Sequence, residues 1–151
     1  MEPSARAACP VQGTGKDPSL LVGTRLVEVV ASRLTVVDRC EREPVDVWLR
    51  DDVGAWTWIT AGSDWCLAVA ASPPPEAYDL GELGRIDVAP DRSSPFHRHL
   101  GEPVTAVRER FDPFTGRTGL LVLFPSGGVD CDTWNGDLRV RRQVLGAAAE
   151  R

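Results

Sequence analysis

Asp17-Pro18-Ser19-Leu20-Leu21-Val22-Gly23-Thr24-Arg25-Leu26 is echoed later in the chain by Ser94-Pro95-Phe96-His97-Arg98-His99-Leu100-Gly101-Glu102-Pro103-Val104. Both stretches read as one helical turn running into a strand. Asp17 and Ser94 each offer a side-chain oxygen to an N-terminal backbone N–H. Pro18 and Pro95 stand where a missing N–H costs nothing, and Gly23 and Gly101 supply a left-handed exit. The strand segments that follow, Leu26 to Val30 and Val104 to Val107, each lead toward a hairpin. The pattern predicts a small β-rich domain made of two similar halves.

Outward from the first stretch, Leu26 to Val30 and Leu34 to Val37 are strand segments, either two short strands or one bent strand interrupted near Ser32. The charged run Asp38 to Pro44 is a solvated turn. Val45 to Leu49, the turn Asp51-Asp52-Val53-Gly54 and Trp56 to Thr60 make a hairpin, because Asp and Gly are the residues such a loop needs. Ala61-Gly62-Ser63-Asp64 then turns the chain into a strand over Trp65 to Ala70. Pro73-Pro74-Pro75 forbids both helix and ladder pairing and reads as an exposed polyproline linker between the halves.

Beyond it, Gly84 to Val88 is a short strand, and Val104 to Phe111, Leu120 to Phe124 and Val129 to Trp134 form a second meander. Leu120 to Phe124 is apolar without alternation, as a strand covered on both faces is. Asn135-Gly136-Asp137 is a strong turn signal before Leu138 to Val140. The expected fold is mainly β, with α+β as the alternative: a curved antiparallel sheet, barrel or sandwich, from two β-meander halves with short helical turns. The boundaries expected are a disordered leader over 1–16, a single domain over 17–140 with halves 17–72 and 83–140, and a tail or short helix over 141–151.

A chain of 151 residues with 42% hydrophobic content is long enough for one core and too short for two ordinary domains. Net charge −5 and a pI near 5.0 argue against sequence-independent nucleic-acid binding, which needs a basic stripe to release counterions. An acidic surface prefers a basic or neutral partner. Lys16 is the only lysine, an arginine bias expected of GC-rich bacterial coding. No stretch has the apolar core of a secretory signal or the length of a membrane span, so the expected location is the cytoplasm. Cys9, Cys40, Cys66 and Cys131 are irregularly spaced and are expected to be free thiols, with Cys66 and Cys131 acting as small apolar residues on strands.

Little assembled chemistry is visible. Gly13-Thr14-Gly15-Lys16 lacks the strand, glycine spacing and trailing hydroxyl of a phosphate loop. His97 and His99 share a face only on a strand. On the helical turn that Pro95 and Gly101 imply, they diverge and read as surface histidines near its end. Asp130 and Asp132 lie on one face of a strand, but the register of a calcium loop fails at Trp134, so no metal or cofactor is expected. Asp51 and Asp52 are turn residues. Ser126-Gly127-Gly128 has no nucleophile elbow and reads as a hairpin turn. Of the five tryptophans, Trp48, Trp56, Trp58, Trp65 and Trp134, most are expected to fill the core. Trp56 and Trp58 share a face and become interface anchors if their hairpin lies at a sheet edge.

The short helix, glycine, strand and hairpin in Leu21 to Leu26 and Leu100 to Val104, together with the ending Asp130-Cys131-Asp132-Thr133-Trp134-Asn135-Gly136-Asp137-Leu138, resemble small bacterial β-rich domains, some of them immunity proteins against secreted toxins. The resemblance implies a fold and a binding role and carries over no catalytic residue. Three functional readings follow. The first is a non-enzymatic module that binds a basic protein through Trp56, Trp58, Asp51 and Asp52. The second is a small hydrolase using Asp130, Asp132 and His97 or His99, which requires those groups to converge. The third is a small-molecule binder with a cavity lined by Trp48, Trp58 and Trp65. The sequence leaves the oligomeric state open.

Overall fold

The computed structural model describes residues 15–62 and 65–143. Residues 1–14, most of the expected leader, and 144–151, most of the expected tail, lie outside the described residues. The chain runs through β1 (Leu26–Val36), β2 (Arg39–Cys40), β3 (Asp46–Asp51), β4 (Trp56–Ala61), β5 (Leu67–Ala70), β6 (Tyr78–Asp79), β7 (Arg85–Pro90), β8 (Ala106–Asp112), β9 (Gly116–Phe124), β10 (Gly127–Trp134) and β11 (Asp137–Gln143). Among the described residues the helical elements are three short 3-10 turns, at Pro18–Leu21, Gly81–Leu83 and Pro95–His99. The protein is mainly β, as expected. Its strands form two antiparallel sheets, in the orders β5-β4-β3-β1-β7-β6 and β11-β10-β9-β8, with β2 paired on β1; neither sheet closes into a barrel.

The capping read from sequence is present at both turns. Asp17 Oδ1 accepts the Ser19 N–H at 3.0 Å, and Ser94 Oγ accepts the Phe96 N–H at 3.2 Å. Gly23 and Gly101 leave the turns at φ +91° and +87°. The stretches after the two turns then pair with each other through an antiparallel bridge, Arg25 to Pro103. After each turn comes a four-strand meander, β1-β3-β4-β5 in one sheet and β8-β9-β10-β11 in the other.

Alternation decides which side chains meet. Val29, Val47, Leu49, Ile59 and Val69 point inward from the first sheet and join Leu120, Val122, Phe124, Val129, Cys131 and Leu138 from the second in one buried cluster. Trp48 and Trp58, paired across β3 and β4, therefore lie on the face of the sheet away from that cluster, where Trp48 is still buried. Arg117, only 2% exposed, ties the layers. Its Nε donates to Glu109 on β8 at 2.9 Å and its Nη1 to the Leu67 carbonyl on β5 at 3.0 Å.

Several expectations need correction. Leu26–Val36 is one continuous strand. Residues 141–143 belong to β11 rather than to a tail. Lys16 is anchored: its backbone N–H donates to Val69, and its ammonium donates to Thr57 Oγ1 at 2.7 Å. The segment holding Pro73-Pro74-Pro75 runs between β5 and β6, at opposite edges of the same sheet, and β7 pairs with β1 of that sheet. Its length suits the task. Five strand spacings of about 4.8 Å make roughly 24 Å, and eight steps of polyproline at about 3.1 Å make roughly 25 Å. Cys66 is disulfide-bonded, while Cys40 and Cys131 are free. Irregular spacing along a chain does not prevent meeting in space, which is why the expectation of four free thiols fails.

Candidate functional site

The residues singled out for binding share the β3–β4 hairpin, but each is already engaged in holding it. Asp51 is buried, and its Oδ1 accepts the N–H groups of Val53 and Ala55 at 3.1 and 3.0 Å, which shapes the β3–β4 turn. Asp52 Oδ1 accepts the Arg25 N–H at 3.0 Å. Trp58 donates its indole N–H to Asp46 Oδ1 at 2.9 Å and lies parallel to Trp48 with ring centres 6.5 Å apart. Trp56 is half-buried under the Arg50 guanidinium. Strands β3 and β4 are interior strands, so the hairpin lacks the edge position that would make Trp56 and Trp58 anchors. Trp65 stands apart from Trp48 and Trp58: its ring lies against the turn at Gly136.

The groups of the hydrolase reading do not converge. Asp130 and Asp132 alternate with the core residues Val129 and Cys131 and so point away from the core. Arg110 approaches Asp130 at 2.9 Å, and Arg139 binds Asp132 in a two-pronged pair at 3.0 and 2.9 Å, with Arg141 3.1 Å from Asp132. His99 lies on the core side, 1% exposed and stacked on Phe124 at 4.4 Å, contrary to the expected surface position. His97 is half-buried on the same turn. Burial makes the Cys131 thiol hard to ionise, and the flanking aspartates push the same way.

One constellation that the sequence did not suggest gathers at His99. The Ser126 hydroxyl donates to Glu102 Oε2 at 2.7 Å, and its oxygen lies 3.2 Å from His99 Nδ1, with Glu102 Oε1 3.4 Å from the same nitrogen. The Ser126 hydrogen bond holds the Glu102 carboxyl below its usual pKa. A hydrolytic relay needs the serine on one imidazole nitrogen and the carboxylate on the other. Here both meet Nδ1, while Nε2 is buried and has no partner among the described residues. The arrangement locks the β9–β10 turn onto the Pro95–His99 turn. Among the described residues no three His, Cys, Asp or Glu side chains gather as metal ligands.

A recess lies where the tip of the β10–β11 hairpin meets the 41–45 loop. Asn135 and Gly136 take φ +53° and +84°, the paired left-handed residues of a tight hairpin, which sets Trp134 opposite Asp137. The cleft holds about 450 Å³. Its apolar lining comes from Leu34, Val45 and Leu138, and its rim carries Glu41, Glu43, Asp137, Trp134 and Arg139. Arg139 is already committed: its guanidinium lies 4.8 Å from the Trp134 ring centre and is forked onto Asp132. Glu41, Glu43 and Asp137 are exposed and form no ion pair among the described residues. Trp134 is 59% exposed. The Arg139 guanidinium, which also lines the cleft, feels the Glu43 charge but is forked onto Asp132, so the carboxylates outnumber the cations there. An exposed tryptophan, an apolar lining and this excess of negative charge suit a ligand that is cationic at one end and apolar along its length.

Comparisons with protein-family models, curated proteins and solved structures give no significant match. Among the described residues no helix is long and apolar enough to cross a membrane.

Proposed function

We propose that this protein is a non-enzymatic protein-binding module that engages a basic partner through the cleft of Glu41, Glu43, Trp134 and Asp137, in the manner of an immunity-like inhibitor. The observation that carries this reading is the excess of carboxylates, Glu41, Glu43 and Asp137 against Arg139, around an exposed tryptophan in a chain of net charge −5. Complementary charge speeds encounter, and a desolvated aromatic holds the complex. The binding face expected on Trp56 and Trp58 moves to Trp134, because the first two are tied into an interior hairpin by Asp46 and Arg50. The disulfide at Cys66 favours an oxidising compartment over the cytoplasm expected from sequence.

The test is parallel capture from an extract of the source organism with the wild-type chain and with a Glu41→Lys/Glu43→Lys variant. A stoichiometric basic protein retained by the wild type and lost by the variant supports the reading. The same proteins on both baits, or none on either, overturns it.

A further inference from the structure

We infer that the group this cleft takes from its partner is an arginine side chain, an assignment that rests on the binding reading above and adds the identity of the inserted residue. The protein carries its own template for the contact. On one face of the Trp134 ring the Arg139 guanidinium sits 4.8 Å from the ring centre, with its two-pronged carboxylate, Asp132, at 3.0 and 2.9 Å. Trp134 remains 59% exposed, and the cleft it borders carries Glu41, Glu43 and Asp137.

A second guanidinium in the cleft meets the same two elements, an aromatic surface and a carboxylate able to receive a fork of N–H donors. A planar, weakly hydrated guanidinium stacks on the indole while its edge donates to a carboxylate, whereas a lysine ammonium, a hydrated point charge, does not use both at once. The stem of the arginine covers the apolar floor of Leu34, Val45 and Leu138, as long basic side chains do when their heads stay polar. Arg139 lines the cleft and feels the Glu43 charge, but its guanidinium is forked onto Asp132 and makes no ion pair with Glu41, Glu43 or Asp137 among the described residues.

The experiment uses the full chain labelled with ¹⁵N and follows the indole N–H resonances, with that of Trp134 assigned by its loss in Trp134→Phe. The probes are blocked tripeptides Gly-Arg-Gly, Gly-Lys-Gly and Gly-Glu-Gly. The arginine peptide is expected to shift the Trp134 resonance saturably, about two- to fivefold more tightly than the lysine peptide, the margin a cation–π contact supplies. The glutamate peptide is expected to leave the resonance unmoved. In Glu41→Gln/Glu43→Gln the response to arginine should be lost while the rest of the spectrum stays folded. Equal affinity for lysine, a response to glutamate, or no movement of Trp134 overturns the assignment. If the arginine peptide is inert but a captured partner still depends on Glu41 and Glu43, the assignment fails and the binding reading stands. If the peptide binds but no partner is captured, the binding reading fails and the chemistry of the cleft stands.

Discussion

Gly23 donates its backbone N–H to the Val104 carbonyl at 2.9 Å, and Gly101 donates its own to the Leu26 carbonyl at 2.7 Å. The two bonds exchange when the two segments are exchanged. So does the second pair, Leu26 to Glu102 at 3.1 Å and Val104 to Thr24 at 2.8 Å, about the bridge between Arg25 and Pro103. A local two-fold relation thus joins the two stretches that look alike in sequence. Both glycines are left-handed, and a Cβ at either meets nothing within 4 Å, so substitution costs backbone strain alone. Gly23→Ala and Gly101→Ala should each destabilise the fold by about 1–2 kcal/mol, and by similar amounts. Urea denaturation of the two variants checks this.

Arg117 is the buried cation between the layers, 2% exposed, and Glu109 is its partly exposed counter-ion. Arg117→Met removes the donor to Leu67 and leaves Glu109 to water, so the expected loss is about 2–4 kcal/mol, short of the full penalty for a stranded buried charge. Adding Glu109→Gln should recover part of it. Thermal and chemical unfolding of the single and double variants give the comparison.

Asp46 is a buried carboxylate held by Ser32 Oγ at 2.8 Å and by the Trp58 indole at 2.9 Å. Trp58→Phe keeps most of the stack on Trp48 but leaves one carboxylate oxygen without its donor. A loss of about 1–3 kcal/mol is expected, the cost of an unsatisfied buried polar atom. Equilibrium unfolding reads it, and a loss near zero would show that the bond contributes nothing net.

Asp91 connects stability to pH. Burial works to raise its pKa, but hydrogen bonds from Ser93 and Arg33, together with the Arg33 charge 3.0 Å away, overcome this and hold the carboxyl below its usual range. A carboxyl depressed in the folded state stabilises the fold above its unfolded pKa, near 4, and that contribution is lost as pH falls through the lower folded value. Stability should therefore decline as pH drops below about 4. Asp91→Asn should show a shallower decline. Urea midpoints at pH 7 and pH 3 (values chosen around the carboxylate range) provide the test.

The elements legible in the sequence were those whose signals are local. Asp17 and Ser94 announce their turns because cap, proline and glycine lie within one turn of each other, and Asn135-Gly136 announces its hairpin in two residues. What depended on distant partners was not legible. Nothing around Arg85–Pro90 says that its neighbour is β1, some fifty positions earlier, rather than a strand of the second sheet. The five tryptophans are chemically alike, and only the sheet order makes Trp48 buried and Trp134 exposed. Glu41 and Glu43 read as part of a solvated turn, and they became the rim of a cleft because the β10–β11 hairpin of the other sheet arrives beside them. His99 resembled a surface residue on a short turn until Phe124 supplied the ring it stacks on.

A partner held at the cleft beside Trp134 would shield that face from solvent, and hydrogen–deuterium exchange of the chain alone and in its captured complex reads this out residue by residue. Trp134→Ala, at a largely exposed position, should change stability by less than about 1 kcal/mol yet weaken the complex about tenfold or more. Slowed exchange on complex formation should concentrate in residues 41–45 and 134–139 and be lost in Trp134→Ala. Protection centred instead on the β3–β4 hairpin around Trp56, with 41–45 and 134–139 unchanged, would contradict it.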